Sequence, residues 1–254
     1  MYQIRVNQAE TAPAEISGNV APARWAYRHK LATRIWHWVN AIAVIILIGS
    51  GLMISNAHPH LYWGQFGASP DTPWFSPPRF PSWLTIPAQY NLALGRRWHL
   101  LFGLIFAFNL LWFMIVGLLN RHFTRDLRFH REELTRRHLV HDIREHLAFR
   151  FHDARQPERF NVLQKFAYAS ALFIILPLLI ATGLALSPGW NAGAPWLLDL
   201  FGGRQSARSV HFIACFALVG FIIVHLVLVI LAGPIAEVRS MITGWFRVPE
   251  GEGH

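Results

Sequence analysis

Cysteine is almost absent. The one cysteine among 254 residues, Cys215, falls inside a long apolar run, which leaves no disulfide framework and no thiolate cluster for a metal. Charge is scarce as well: 15% of the residues are Asp, Glu, Lys or Arg, against 53% that are hydrophobic. The sequence carries no pattern for a pterin, a nickel site or an iron–sulfur cluster, so substrate chemistry of those kinds has to reside in another polypeptide. The first 24 residues lack the apolar core of a secretory signal, and the first long apolar run is therefore expected to stay as a membrane anchor. Clustered basic and aromatic residues of the sort that grip nucleic acid are missing too, so the formal net charge of +9 does not point to DNA.

What the chain has in abundance is uninterrupted apolar sequence. Crossing a bilayer core of about 30 Å takes about 20 apolar residues at roughly 1.5 Å each. Four stretches meet that length, near Ile35–Ile54, Trp98–Leu119, Phe166–Leu186 and Val210–Leu231. The predicted fold class is all-α, an integral membrane four-helix bundle forming one membrane domain over residues 1–254, with residues 1–24 as an N-terminal extension and interfacial helices in the connections. Of the 23 Lys and Arg, 18 lie before span 1, between spans 2 and 3 or after span 4, and only Arg79, Arg96, Arg97, Arg204 and Arg208 lie in the other two connections. Basic residues accumulate on the cytoplasmic side, so both termini are expected there, in the bacterial inner membrane.

The connections differ in character. The outer loop, about Ser55 to Gly95, is rich in proline and tryptophan and nearly uncharged, suited to lie folded at the membrane surface and to receive a docking partner. The inner segment "RDLRFHREELTRRHLVHDIREHLAFRF" mixes charge with Leu, Ile and Phe at helix-compatible spacing, and is expected to lie along the lipid headgroups. The six histidines of this connection, His122 to His152, read as solvated residues of an interfacial helix in preference to a metal or proton-relay site. A short internal echo joins "IGSGLMIS" at the end of span 1 to "IATGLALSP" at the end of span 3, small residues that let helices or a flat ligand approach closely and that hint at a duplicated helix hairpin.

Histidine in hydrocarbon is expensive and usually kept for a function. His37 begins span 1 on the inner side and His99 begins span 2 on the outer side; span 4 carries His211 near the outer face and His225 fourteen residues later, about 21 Å deeper at helical rise. Fourteen residues is close to four helical turns, so one face of span 4 presents both rings. Two depth-matched pairs result, His99 with His211 and His37 with His225. Taken singly, each ring is equally well read as a helix-to-helix hydrogen bond or a proton carrier. Taken as pairs, they are what a six-coordinate haem requires, one imidazole on each face of the iron, which predicts two stacked haems. Gly49, Gly51, Gly103 and Gly220 supply room at the flat faces, and Arg34, Arg96, Arg97 and Arg208, near the span ends, are cationic partners for propionates. His58 and His60 have no partner at their depth and are read as interfacial.

The phrases "RIWHW" and "RRWH" and the H-x13-H of span 4 resemble the di-haem cytochrome b subunits of nickel–iron hydrogenases, formate dehydrogenase N and thiosulfate reductase. "FPSWLTIPAQYNLALGRRWH" and "RFNVLQKFAYASALFIILPLLIATGLALSPG" are most similar to the thiosulfate reductase type, and the resemblance covers about residues 25 to 245. It implies that His37, His99, His211 and His225 ligate two b haems. It also implies that the R-[FY]-N-x-x-Q-K phrase, Arg159 to Lys165, opens span 3 beside a quinone pocket, with Asn161 and Gln164 as hydrogen-bonding partners of a quinone carbonyl; helix capping is the equally weighted alternative for these two. The implied function is electron transfer across the inner membrane between a periplasmic oxidoreductase subunit, a molybdenum enzyme in the first place and a hydrogenase in the second, and the quinone pool. Two further readings stay open: a self-sufficient cytochrome b561-like quinol or superoxide oxidoreductase, and a haem-free transporter or assembly factor.

Overall fold

The computed structural model describes residues 25–67, 72–120 and 162–247. The inner segment with its six histidines, Asn161, and the side chain of Gln164 lie outside the described residues. Four helices are long and apolar enough to cross a membrane: Leu31–Ala57, Leu92–Leu119, Lys165–Leu186 and Arg204–Ala232, here spans 1 to 4. The apolar runs locate all four. Three of the helices start four to six residues before the run does, because a helix continues into polar sequence until its first N–H groups find a cap. Span 2 begins where the Asn91 side chain accepts from the Leu94 N–H at 2.9 Å.

The chain divides into two compact units, one comprising residues 1–38 and 228–254, the other residues 39–227. In the larger unit the described core is built of Ala43, Met53, Phe106, Leu110, Leu172, Leu176, Ala214 and Leu218, distributed over all four spans. Spans 1 and 2 approach closely at Gly95, where a Cβ would stand 2.8 Å from Met53 Cγ. Large apolar residues such as Ile45, Phe108 and Val224 point outward along the spans, the arrangement expected where lipid is the solvent. Span 3 contains a π-helical turn, Ala171–Ile175, between helices Val162–Ser170 and Leu176–Leu186. That turn precedes Pro177, whose missing N–H and bulky ring a regular α-helix would not accommodate.

In the larger unit the loop between spans 1 and 2 is tied to the start of span 4. The Gln65 side chain accepts from Arg204 N–H at 2.9 Å, and the Gly64 carbonyl accepts from Gln205 and Ser206 N–H at 3.0 and 3.1 Å, so the loop supplies caps that the helix itself lacks. Ser209 Oγ accepts from Trp74 Nε1 at 2.9 Å and donates to the Tyr62 carbonyl at 2.6 Å. The shorter connection between spans 3 and 4 carries helices Pro188–Gly193 and Trp196–Leu200 and buries Leu197 and Leu198 against Ala185 and Ala207.

In the smaller unit, strand β1 (Trp25–Tyr27) pairs antiparallel with β2 (Trp245–Arg247). Arg28 forms an ion pair with Glu237 at 3.2 Å, and Trp38 Nε1 donates to the Met241 carbonyl at 3.2 Å. Residues near the two limits of the described chain thus pair within this unit.

Candidate functional site

His99 and His211 come together. Their ring centroids are 6.1 Å apart and their planes cross at 69°. A metal–imidazole bond of about 2 Å on each side, with roughly 1 Å more from each coordinating nitrogen to its ring centre, places two axial rings about 6 Å apart. The spacing fits one iron between them.

The hydrogen bonds fit as well. Ser50 Oγ lies 3.0 Å from His99 Nδ1, and Thr182 Oγ1 lies 2.8 Å from His211 Nδ1. Each hydroxyl has a single proton, and each donates it to the carbonyl four residues back, Ser50 to Ile46 and Thr182 to Leu178, both at 2.6 Å. The oxygen can then accept from an Nδ1–H, the tautomer that leaves the Nε2 lone pair for a metal. Gly51 and Gly183 each leave a ring edge uncovered: a Cβ would stand 3.4 Å from His99 Cε1 and 3.6 Å from His211 Cε1. Two facing imidazoles are the donor set that suits a macrocycle whose iron asks the protein for two ligands.

His37 lies in the smaller unit, with its ring edge-on to Trp38 at 5.2 Å. His225 lies in the larger unit, stacked on Phe221 at 6.3 Å with the planes 6° apart, while Tyr168 packs edge-to-face with Phe221 at 6.0 Å. Arg34 Nε is buried and has no hydrogen-bond partner among the described residues. Arg96 and Arg97 are exposed at the start of span 2. Arg208 donates to the carbonyls of His58, at 2.8 Å, and of His60, so its guanidinium anchors the outer loop. Gly49 packs against Ile86 of that loop, a Cβ at Gly103 would stand 4.0 Å from Leu47 Cδ2, and Gly220 borders open space. His60 Nδ1 pairs with Ser76 Oγ at 2.8 Å, in keeping with an interfacial role.

Three residues were missed by sequence reasoning. Ser50 and Thr182 are the hydroxyl residues of the internal echo that precede a glycine, and that match was the available signal. Asn40 is 9% exposed, with neither amide atom hydrogen-bonded among the described residues; it follows His37 by three residues and shares its helix face. Leaving such an amide unmet costs about 1–3 kcal/mol, so it is a donor and acceptor available to a bound group.

A four-span bundle that presses two tautomerically poised imidazoles together at one level has the architecture of a membrane cytochrome. The profile of the family described as prokaryotic cytochrome b561 matches residues 28–244, and the chain belongs to that family. A protein of Azospira oryzae with the provisional name of a protein-methionine-sulfoxide reductase subunit is 31% identical over 199 residues, covering 78% of this chain and 87% of that protein. A Cupriavidus necator protein with the provisional name of a Ni/Fe-hydrogenase B-type cytochrome subunit is 27% identical over 249 residues, covering 91% and 90%. A similarly named protein of Bradyrhizobium diazoefficiens is 25% identical over 226 residues, covering 84% and 81%. No solved structure matches the chain significantly. The protein is therefore a multi-pass b-type cytochrome of the inner membrane; haem b is the group the family implies, and the paired imidazoles fit it.

Proposed function

We propose that this chain is the di-haem membrane subunit through which an oxidoreductase catalytic subunit at the periplasmic face exchanges electrons with the quinone pool. The observation that carries the reading is the facing pair His99 and His211, 6.1 Å between centroids, with both Nδ1 atoms matched to hydroxyl oxygens. Bound haem supplies one-electron transfer. The chain's own part is to ligate, bury and orient.

In this reading His99 and His211 hold the outer haem and His37 and His225 the inner one, the second pair resting on depth and on the fourteen-residue spacing in span 4. Arg34 meets a propionate on the inner side, which its unpartnered Nε supports. Arg97 serves the outer side, with Arg208 contributing the guanidinium protons its loop carbonyls leave free. Asn161 and Gln164 hydrogen-bond the quinone. The distribution of basic residues supports cytoplasmic termini, so that the outer loop faces the partner. A molybdenum oxidoreductase is the partner the sequence resemblance favours. The hydrogenase subunit names of several relatives favour a nickel–iron hydrogenase as the second reading.

The test is His225→Ala in the full chain. It should cost one of two haems and abolish quinone turnover while the protein stays in the membrane. Retention of both haems contradicts the inner pairing.

A further inference from the structure

We propose that Ser50 and Thr182 are positioning residues for the two outer imidazoles, one in each helical hairpin, and that together they lower the reduction potential of the haem held there. The proposal rests on the reading that His99 and His211 hold a haem, and it adds what sets that haem's electronics.

A hydroxyl that bonds back to the carbonyl four residues earlier is an ordinary way to satisfy Ser or Thr in a helix, and needs no histidine nearby. Three observations go beyond it. Both oxygens also stand within hydrogen-bond distance of an imidazole nitrogen, 3.0 Å for Ser50 and 2.8 Å for Thr182. Both side chains are fully buried, at 0% exposure, so no solvent competes for the bond. The same unit, hydroxyl then glycine on one helix and histidine on the next, occurs twice, although hydroxyl and histidine are 49 residues apart in the first hairpin and 29 in the second. Spacing that differs this much with an unchanged endpoint argues that the contact itself is what both hairpins are built to make.

The physical consequence runs through the ring. An acceptor at Nδ1–H fixes the tautomer and the ring orientation, and draws the proton partly away, which makes Nε2 a stronger donor. A stronger donor favours the ferric over the ferrous state, so the potential falls. Two such acceptors act on one iron, one from each face.

The experiment uses the full chain purified in detergent, with haem counted per polypeptide, both midpoint potentials titrated and the low-spin ferric signals recorded. Ser50→Ala and Thr182→Ala should each shift one of the two midpoints upward and alter one low-spin signal, leaving the other haem as in wild type. The double variant should shift it further. Ser50→Thr and Thr182→Ser, which keep the hydroxyl, should restore wild-type behaviour; if an alanine variant sheds the outer haem, its retention in the hydroxyl-keeping variant at the same position supports the assignment equally. Unchanged potentials and spectra in both alanine variants overturn the proposal, as does a hydroxyl-keeping variant that behaves like alanine, since volume rather than the hydrogen bond would then be responsible. A haem count indifferent to His99→Ala and His211→Ala overturns the outer site itself, and the two failures are thereby distinguished.

Discussion

Spans 1 and 2 are joined by the long, folded outer loop, whereas spans 3 and 4 are joined by a short connection of two brief helices; span 3 has a π turn and a proline, and span 1 has neither. The two hairpins nevertheless deliver an imidazole to the same place with the same partner chemistry. The comparison shows where specificity resides. The imidazoles are met where helices touch, at Ser50–Gly51 and Thr182–Gly183, and the connections are free to differ. The long one has acquired other work: its Gly64 and Gln65 cap span 4, and its carbonyls at His58 and His60 take up Arg208.

The most severe way to break the equivalence is to remove a ring from one hairpin. In the proposed function both rings serve one iron, so His99→Ala and His211→Ala should have the same outcome, loss of about half the haem with the other half spectrally intact. Unequal losses, one variant keeping both haems, would show that the hairpins do not share a site.

Bulk at the two glycines should come next. The Cβ positions beside the rings, 3.4 and 3.6 Å away, are ordinary contacts, so Gly51→Ala and Gly183→Ala should load haem normally. Gly51→Val and Gly183→Val place further methyls against the imidazole and should reduce haem occupancy several-fold, read by haem content per chain.

Damage to the loop that only the first hairpin carries should be smaller and should leave haem untouched. Ser209→Ala strands Trp74 Nε1 and the Tyr62 carbonyl, at a cost of about 1–3 kcal/mol in thermal stability with unchanged haem content.

The smallest difference concerns pH. His58 belongs to the long connection, and burial, followed by the guanidinium groups of Arg208 and Arg96, lowers its pKa below the usual 6.5. The unfolded loop therefore takes up a proton before the folded one as pH falls through 6.5, and the loop loses stability in the window just below that value. The short connection has no histidine. Hydrogen exchange should show the long loop loosening on mild acidification while the short connection does not, and His58→Gln should remove the difference.

How much of this was legible in the sequence varies with the physics involved. Long apolar runs placed the spans, because lipid demands continuous hydrophobicity. Depth counting placed His99 opposite His211, because helical rise is constant. The helix ends were not legible: the cap on span 4 comes from Gly64 and Gln65, far away in sequence, and no local pattern announces a tertiary cap. The echo was visible, but its meaning was not. Small residues at matching depths read equally well as helix packing, and only the positions of His99 Nδ1 and His211 Nδ1 turn Ser50 and Thr182 into hydrogen-bond acceptors. Arg208 was expected at a propionate from its position at a span end, and the loop carbonyls that engage it could not be foreseen from a segment without regular structure. The β1–β2 pairing of the chain ends was likewise invisible, since three-residue strands carry no readable period.

The most direct measurement is the haem stoichiometry and spin state of the wild-type chain purified in detergent, by reduced-minus-oxidised optical difference and low-temperature magnetic resonance. The account predicts about two b-type haems per chain, all low-spin, as paired imidazoles at both levels require. A folded chain without haem, or with a high-spin centre at the His99–His211 level, would contradict it.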